Sequence, residues 1–145
     1  MTTAATTALY ALQDHLEKIT TGNGYAVTVA SVTTGRAALA SPTAGTFPLI
    51  VLTILQDAPT DALLQPGQRF QSWNRSILLE AFTAESSDGT WDEELDTLWD
   101  AIRTALARYT GILSWGAVEF IAPQDGGNIC LLRIPLTMPY SLIVE

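Results

Sequence analysis

Residues 91–109 carry a wide apolar stripe at helical spacing. Its members follow one another at intervals of 4, 3, 1, 3, 4 and 3 residues, namely Trp91, Leu95, Leu98, Trp99, Ile102, Leu106 and Tyr109. This spacing places them on one side of a helix, which must be buried against another layer of structure. Thr90 and Glu93 match a capping box, in which the threonine oxygen accepts from the N3 amide and the glutamate bonds back to the cap amide. Gly111 is predicted to end the helix.

The remaining segments predict a second helix and five strands. Apolar residues at helical spacing predict a helix from Leu9 that ends near residues 21–24, after a lead-in of residues 1–8 that we expect to be frayed and flexible. Strands are predicted at residues 25–34, 47–56, 68–84, 115–122 and 129–138, with loops at residues 35–46 and 57–67. The last two strands flank an Asp-Gly-Gly turn and form a hairpin. Pro135 lacks an N–H, which predicts a sheet edge or a bulge at that point.

The element order α-β-β-β-α-β-β predicts one α+β domain over residues 1–145. Its sheet is expected to be mainly antiparallel or mixed, with both helices packed on one face. A chain of 145 residues with 48% apolar content is long enough to bury such a core.

The charge balance excludes several classes of function. Seven basic against fifteen acidic residues give a net charge of −8, the wrong sign for a protein that grips phosphate backbones. Seven of the acids lie within residues 85–100, where helix capping and the helix dipole account for them.

The longest apolar run, residues 47–55, is too short to span a membrane as a helix. Without a basic residue before Lys18 the N-terminus does not resemble a signal peptide, so we expect an intracellular product.

Candidate chemical groups are few, and each has a structural interpretation. His15 is the single histidine and lies just off the apolar stripe of the first helix, where a solvated structural role is favoured over general-base catalysis. Cys130 alternates onto the apolar face of its strand and is expected to be buried in the core. The acids of residues 85–100 lack the spacing of an EF-hand loop, and a helix start explains them better than a Ca²⁺ or Mg²⁺ site. No nucleotide-binding or hydrolase motif is present, so no catalytic residue, cofactor or metal is predicted.

The candidate site is a surface for protein contacts. Arg69, Phe70, Trp73 and Arg75 form the aromatic and basic first half of the third predicted strand. Tryptophan and arginine are enriched at protein interfaces because each combines a large contact area with a directional polar group. An inward position for Trp73 beneath a loop is an equal alternative at this point.

In length and element order the chain resembles the tail-terminator proteins of long-tailed bacteriophages. The resemblance rests on the N-terminal helix and on five segments: Tyr25-Ala-Val-Thr-Val, Phe47-Pro-Leu-Ile-Val-Leu-Thr-Ile-Leu, Ile77-Leu-Leu-Glu-Ala-Phe, Asp92-Glu-Glu-Leu-Asp-Thr-Leu-Trp-Asp-Ala-Ile with its following hairpin, and Arg133-Ile-Pro-Leu-Thr-Met-Pro-Tyr140. It implies a virion structural protein, assembled in the host cytoplasm, that forms a ring of six copies at the head-proximal end of the tail. Such a ring docks on the last ring of the major tail-tube protein, stops tail polymerisation and presents its other face to the head-tail connector protein. Its acidic channel would let DNA pass without specific binding, and no membrane is involved.

Three alternatives stay open at this point. Head-closure and tail-completion connector proteins are similar in sequence, and a secretion apparatus built on a tail-like tube uses related modules. From a different class, a small ligand-binding or enzymatic α+β domain would have His15, Cys130 and the acidic helix start as its candidate groups.

Overall fold

A computed structural model describes residues 3–34, 47–60, 70–85, 89–124 and 127–143. Two α-helices, one 3₁₀ helix and six strands follow one another in these residues: α1 Ala4–Glu17, the 3₁₀ helix Thr21–Asn23, β1 Ser31–Thr34, β2 Leu49–Pro59, β3 Phe70–Ala84, α2 Trp91–Arg108, β4 Ser114–Trp115, β5 Glu119–Ile121 and β6 Ile129–Ile143. The predicted α+β class with a mixed sheet is confirmed. The predicted loop 35–46 lies outside the described residues, as do residues 61–67 of the second predicted loop.

The described strands form a single sheet in the order β1-β2-β3-β6-β4, with β5 also paired to β6. β1 runs parallel to β2, and the other pairings are antiparallel. β3 and β6 are the longest strands and pair along their whole length, from Phe70 opposite Ile143 to Ala84 opposite Ile129. They form the axis on which the other strands are arranged.

Both helices cover one face of this sheet. The buried cluster combines α1 and α2 residues with alternate strand residues such as Ile77 and Leu79 of β3 and their partners Leu136 and Ile134 of β6. Cys130 belongs to this cluster and is fully buried, as its position on the apolar face of the strand predicted. No helix in the described parts of the chain is long and apolar enough to cross a bilayer.

The opposite face of the sheet holds a buried ion pair. Glu80 and Arg133 lie directly opposite each other on β3 and β6, with Arg133 Nε 3.3 Å from Glu80 Oε2. Glu80 is 4% exposed. A carboxylate this buried needs a cation and hydrogen bonds to offset its lost hydration.

The N-terminal third differs from the prediction at both ends of α1. The helix begins at Ala4 instead of Leu9, because the Thr3 hydroxyl accepts a hydrogen bond from the Thr6 amide and caps it. Of the predicted strand 25–34, Ser31–Thr34 forms β1, and the Ala30 amide also donates to the Pro48 carbonyl at 2.8 Å. Before Ser31 the backbone is tied to the end of α1 instead, since the Val29 amide donates to the Ile19 carbonyl.

The cap of α2 also differs from the prediction. Thr90 makes no side-chain capping hydrogen bond. Glu85 Oε2 takes that role by accepting from the amides of Gly89 and Trp91, at 3.2 and 3.0 Å. At the other end, Gly111 lies beyond the helix and against the Tyr109 ring, where a Cβ atom would fall 2.5 Å from Tyr109 Cε2. The absence of a side chain at Gly111 therefore leaves room for the Tyr109 ring, and the glycine does not end the helix as predicted.

The predicted strand 115–122 is split into β4 and β5. Both pair with β6, and between them the Gly116 amide donates to the Pro135 carbonyl at 3.0 Å. Because the carbonyl of Pro135 faces β4 and β5, its nitrogen, which has no hydrogen to donate, faces the same way. The hydrogen-bond ladder is therefore interrupted on that side alone, and the pairing of β6 with β3 continues. The bulge predicted from Pro135 is thus found on the outer side of β6.

Candidate interaction site

Three strands continue beyond the buried core as an extension, which we call the β-arm (residues 56–59, 70–76 and 137–143). β2, β3 and β6 supply one strand each, and the seven residues from β3 span about 20 Å. Residues 57–59 were predicted to be a loop, yet they pair with β3 from Asp57 opposite Arg75 to Pro59 opposite Trp73. Apart from Met138, none of the described side chains of the β-arm belongs to the buried core cluster.

An aspartate, an arginine and a tyrosine on three neighbouring strands form the centre of one face of the β-arm. Arg75 Nε and Nη2 donate to the two carboxylate oxygens of Asp57 at 2.8 and 3.0 Å, a bidentate pair. The Tyr140 hydroxyl donates to Asp57 Oδ2 at 2.8 Å. The Arg75 guanidinium also lies 5.6 Å from the centre of the Tyr140 ring, within cation–π distance. The arginine is therefore held in one orientation by contacts from both sides.

The electrostatics of this cluster keep its charges fixed at neutral pH. Hydrogen bonding to Arg75 lowers the pKa of Asp57, and the same bond raises the pKa of Arg75. Partial burial, with the hydrogen bond to Asp57, raises the pKa of Tyr140. Asp57 and Arg75 are thus both ionised and neutralise each other, so the centre of the face has no net charge.

Trp73 extends this cluster along the β-arm. It lies opposite Tyr140 on β6 and Pro59 on β2, two residues from Arg75 and hence on the same face of the sheet. Its indole Nε1 lies 3.4 Å from Gln71 Oε1. The side chain is half-buried and lies outside the core cluster. Trp73 therefore lies outside the hydrophobic core of the described residues, and the alternative position beneath a loop involves residues 61–67, which lie outside the described ranges.

Both outer strands of the β-arm carry a proline whose backbone faces away from the other described strands of the arm. The Thr60 amide donates to the Ser72 carbonyl of β3. Because successive residues of a strand direct their N–H and C=O groups to opposite sides, the backbone nitrogen of Pro59 faces away from β3. On β6 the backbone of Pro135 faces away from β3, and every second residue after it faces the same way. The backbone nitrogen of Pro139 therefore also faces away from β3. Because proline has no N–H to offer, both edges are poor templates for an added strand. The β-arm is therefore suited to contacts through its faces.

The four residues predicted as an interface are only partly placed by the structure. Trp73 and Arg75 lie side by side on one face of the β-arm. Arg69 lies outside the described residues, and of Phe70 only the backbone is described, where it begins β3 opposite Ile143. Asp57 and Tyr140 have no signal in the sequence pattern, because each is remote from Arg75 along the chain and joins it only through strand register. An aspartate just before a proline-containing segment gave a loop signal instead.

The candidate groups of the enzymatic alternative can each be located in the structure. His15 is not simply solvated: its Nε2 lies 2.6 Å from the Ala105 carbonyl oxygen, and its ring is 5.1 Å from that of Tyr109. Burial, aided by the charges of Glu94 and Glu85, raises the pKa of the Cys130 thiol to about 11. A thiol that stays protonated is a poor nucleophile and a poor metal ligand. Within the described ranges no group of three His, Cys, Asp or Glu side chains is arranged to hold a metal ion.

Comparison with protein-family models and with curated proteins finds no match for this chain.

Proposed function

We propose that this protein is a structural assembly protein that caps a phage tail tube, stops its polymerisation and forms the surface for head joining. The observation that carries the proposal is the β-arm, whose face presents Trp73, Arg75 and Tyr140 in an arrangement fixed by Asp57. A cap must recognise a preformed protein surface, and pre-ordered aromatic and arginine side chains contribute most of the energy in such contacts.

The resemblance of five segments to tail terminators supports the same proposal, since the described fold has nearly the predicted element order. Under this proposal the β-arm binds the last ring of the tube, and the acidic remainder of a ring would line or flank the DNA channel. Such a surface repels phosphate and lets DNA pass.

Removing the side chains on the β-arm should weaken binding to the tube without unfolding the protein. Trp73→Ala and Arg75→Ala are each expected to weaken co-sedimentation with assembled tail tubes by roughly 30-fold, the effect of losing an interface residue worth about 2 kcal/mol. Thermal unfolding should change little for Trp73→Ala, because Trp73 does not belong to the core cluster. Arg75→Ala should also lower the melting temperature, because it leaves Asp57 without its ion-pair partner.

Arg103→Ala is the matched control. Arg103 Nη2 also pairs with an aspartate, Asp100, at 2.8 Å, and its guanidinium lies 5.8 Å from the centre of the Trp99 ring. It lies on α2, away from the β-arm, so its removal should leave tube binding unchanged. Equal binding by all three variants would contradict the role of the β-arm. Binding of the wild-type protein to DNA-filled heads and not to tails would favour the head-closure alternative.

A further inference from the structure

An Asn-Gly dipeptide lies in the turn that follows α1. It is formed by Asn23 and Gly24, whereas the other two asparagines of the chain precede an arginine and an isoleucine. Asparagine is a thermolabile residue, and it reacts fastest before glycine, because a following residue without a side chain leaves its backbone nitrogen open to reaction. Both residues are exposed, so water and hydroxide reach them. By its sequence, Asn23 is therefore the asparagine of this chain most prone to deamidation.

Deamidation needs a close approach between the side chain of the asparagine and the backbone of the glycine. The Gly24 nitrogen attacks the side-chain carbon Cγ of Asn23 and gives up its proton to water. The Nδ2 group leaves as ammonia, and the product is a cyclic succinimide. A water molecule then opens the ring and leaves aspartate or isoaspartate at position 23. Water is the sole co-reactant, and nothing is oxidised or reduced.

In the folded chain both reacting groups are held in other contacts. Asn23 Nδ2 donates to the Lys18 carbonyl at 2.8 Å, which directs the carboxamide toward the end of α1. The Gly24 amide donates to the Thr21 carbonyl at 3.2 Å and is thereby turned toward the preceding residues. Attack of the Gly24 nitrogen on Asn23 requires both hydrogen bonds to break. The folded turn thus opposes the reaction that its sequence favours.

Two threonine hydroxyls fasten this turn. Thr20 Oγ1 caps the 3₁₀ helix by accepting from the Asn23 amide at 3.2 Å. Thr28 Oγ1 accepts from the Thr21 amide at 2.9 Å. Gly24 ends the turn with a φ of 90°, a conformation that glycine adopts without strain. Because these bonds are exposed and local, the turn can open while the core stays folded.

We propose that Asn23–Gly24 is a modification site that stays closed in the folded chain and deamidates when the end of α1 opens. The reaction makes that opening permanent. Aspartate or isoaspartate at position 23 has no N–H to donate to the Lys18 carbonyl. Its negative charge also lies at the carboxyl end of α1, where the helix dipole disfavours an anion. This inference does not depend on the proposed function.

The rates of deamidation in the folded and the unfolded chain test the site. Wild-type protein, folded or unfolded in guanidinium chloride, would be incubated in the same mildly alkaline buffer and then digested with trypsin. Cleavage after Lys18 and Arg36 gives a peptide in which Asn23 is the only asparagine, so the mass of this peptide reports this site alone. Deamidation in the folded chain should be slower by roughly 10-fold or more, because the turn must open first.

Two variants loosen the turn without changing the reacting groups. Thr20→Val and Thr28→Val each remove a hydroxyl that fastens it, and each should raise the rate in the folded protein by about 5-fold, the effect of losing a helix cap. Thr104→Val is the matched control, because it removes a hydroxyl that donates to the Asp100 carbonyl at 2.8 Å on α2. Its rate should equal that of the wild type. Thermal unfolding establishes that each variant folds.

Equal rates in the folded and unfolded wild-type protein would overturn the inference, since the fold would then give the site no protection. A rate for both turn variants no higher than that of Thr104→Val would also overturn it, because deamidation would then not depend on this turn. The purified deamidated protein gives an independent check. Amide hydrogen exchange at the end of α1 should be faster in it than in the unmodified protein, and unchanged exchange there would contradict a permanent opening.

Discussion

The imidazole of His15 joins the two helices at the end of α2. Its Nε2 donates to the Ala105 carbonyl, which lies in the last turn of that helix, where carbonyl groups lack full helical partners. The ring also packs against Tyr109, and Tyr109 packs against Gly111. The sequence places His15 at the boundary between the apolar and polar sides of α1. In the structure its side chain caps the end of α2, through a hydrogen bond to a residue ninety positions away.

Removing this cap should destabilise the fold measurably. His15→Ala is expected to lower the free energy of unfolding by about 1–3 kcal/mol, because a partly buried carbonyl loses its donor. His15→Gln keeps an N–H donor and should recover part of that loss. Urea denaturation of the two variants beside the wild type measures both values. A loss below about 0.5 kcal/mol for His15→Ala would show that water replaces the imidazole at no cost.

At the level of whole elements, the sequence predicts best where one segment determines its own structure. The apolar stripe of α2 placed the helix at Trp91–Arg108 because helical periodicity is local. The predicted cap of α2 is wrong because the capping residue, Glu85, lies outside the helix. The residues between Glu85 and the helix show no helical pattern that would point to it. The β-arm is not predicted from the sequence for a similar reason, namely that its contacts are remote along the chain. Aspartate is common in loops, and the pairing of Asp57 with Arg75 and Tyr140 depends on strand register.

The cap of α2 gives a test of that account. Glu85→Ala should lower the free energy of unfolding by about 0.5–2 kcal/mol, as loss of a helix cap does. Glu93→Ala should cost less, about 0.3–1 kcal/mol, since it removes only a charge that favours the helix dipole. Thermal unfolding of the two variants compares them directly. A larger loss of stability for Glu93→Ala than for Glu85→Ala would contradict this account and support the capping box that the sequence predicts at Thr90 and Glu93.

On the scale of the whole molecule, three surfaces of different chemistry are separated from one another. The start of α2 is acidic, large apolar side chains are exposed near both edges of the described sheet, and the β-arm presents an aromatic and ionic face whose charges cancel. Under the proposed function, the protein binds a tail tube and lets DNA pass, and this separation would keep the two tasks on different surfaces. Under that proposal, the net charge of −8 would repel the DNA phosphates and so keep DNA from binding as it passes.

The length of tail tubes polymerised in the presence of this protein tests the proposed function most directly. Major tail-tube protein would be polymerised with and without it, and tube lengths and ends would be measured by electron microscopy. The proposal predicts that tubes stop growing and carry one added ring at one end only. Tubes that keep growing to the same length distribution, with bare ends, would contradict it.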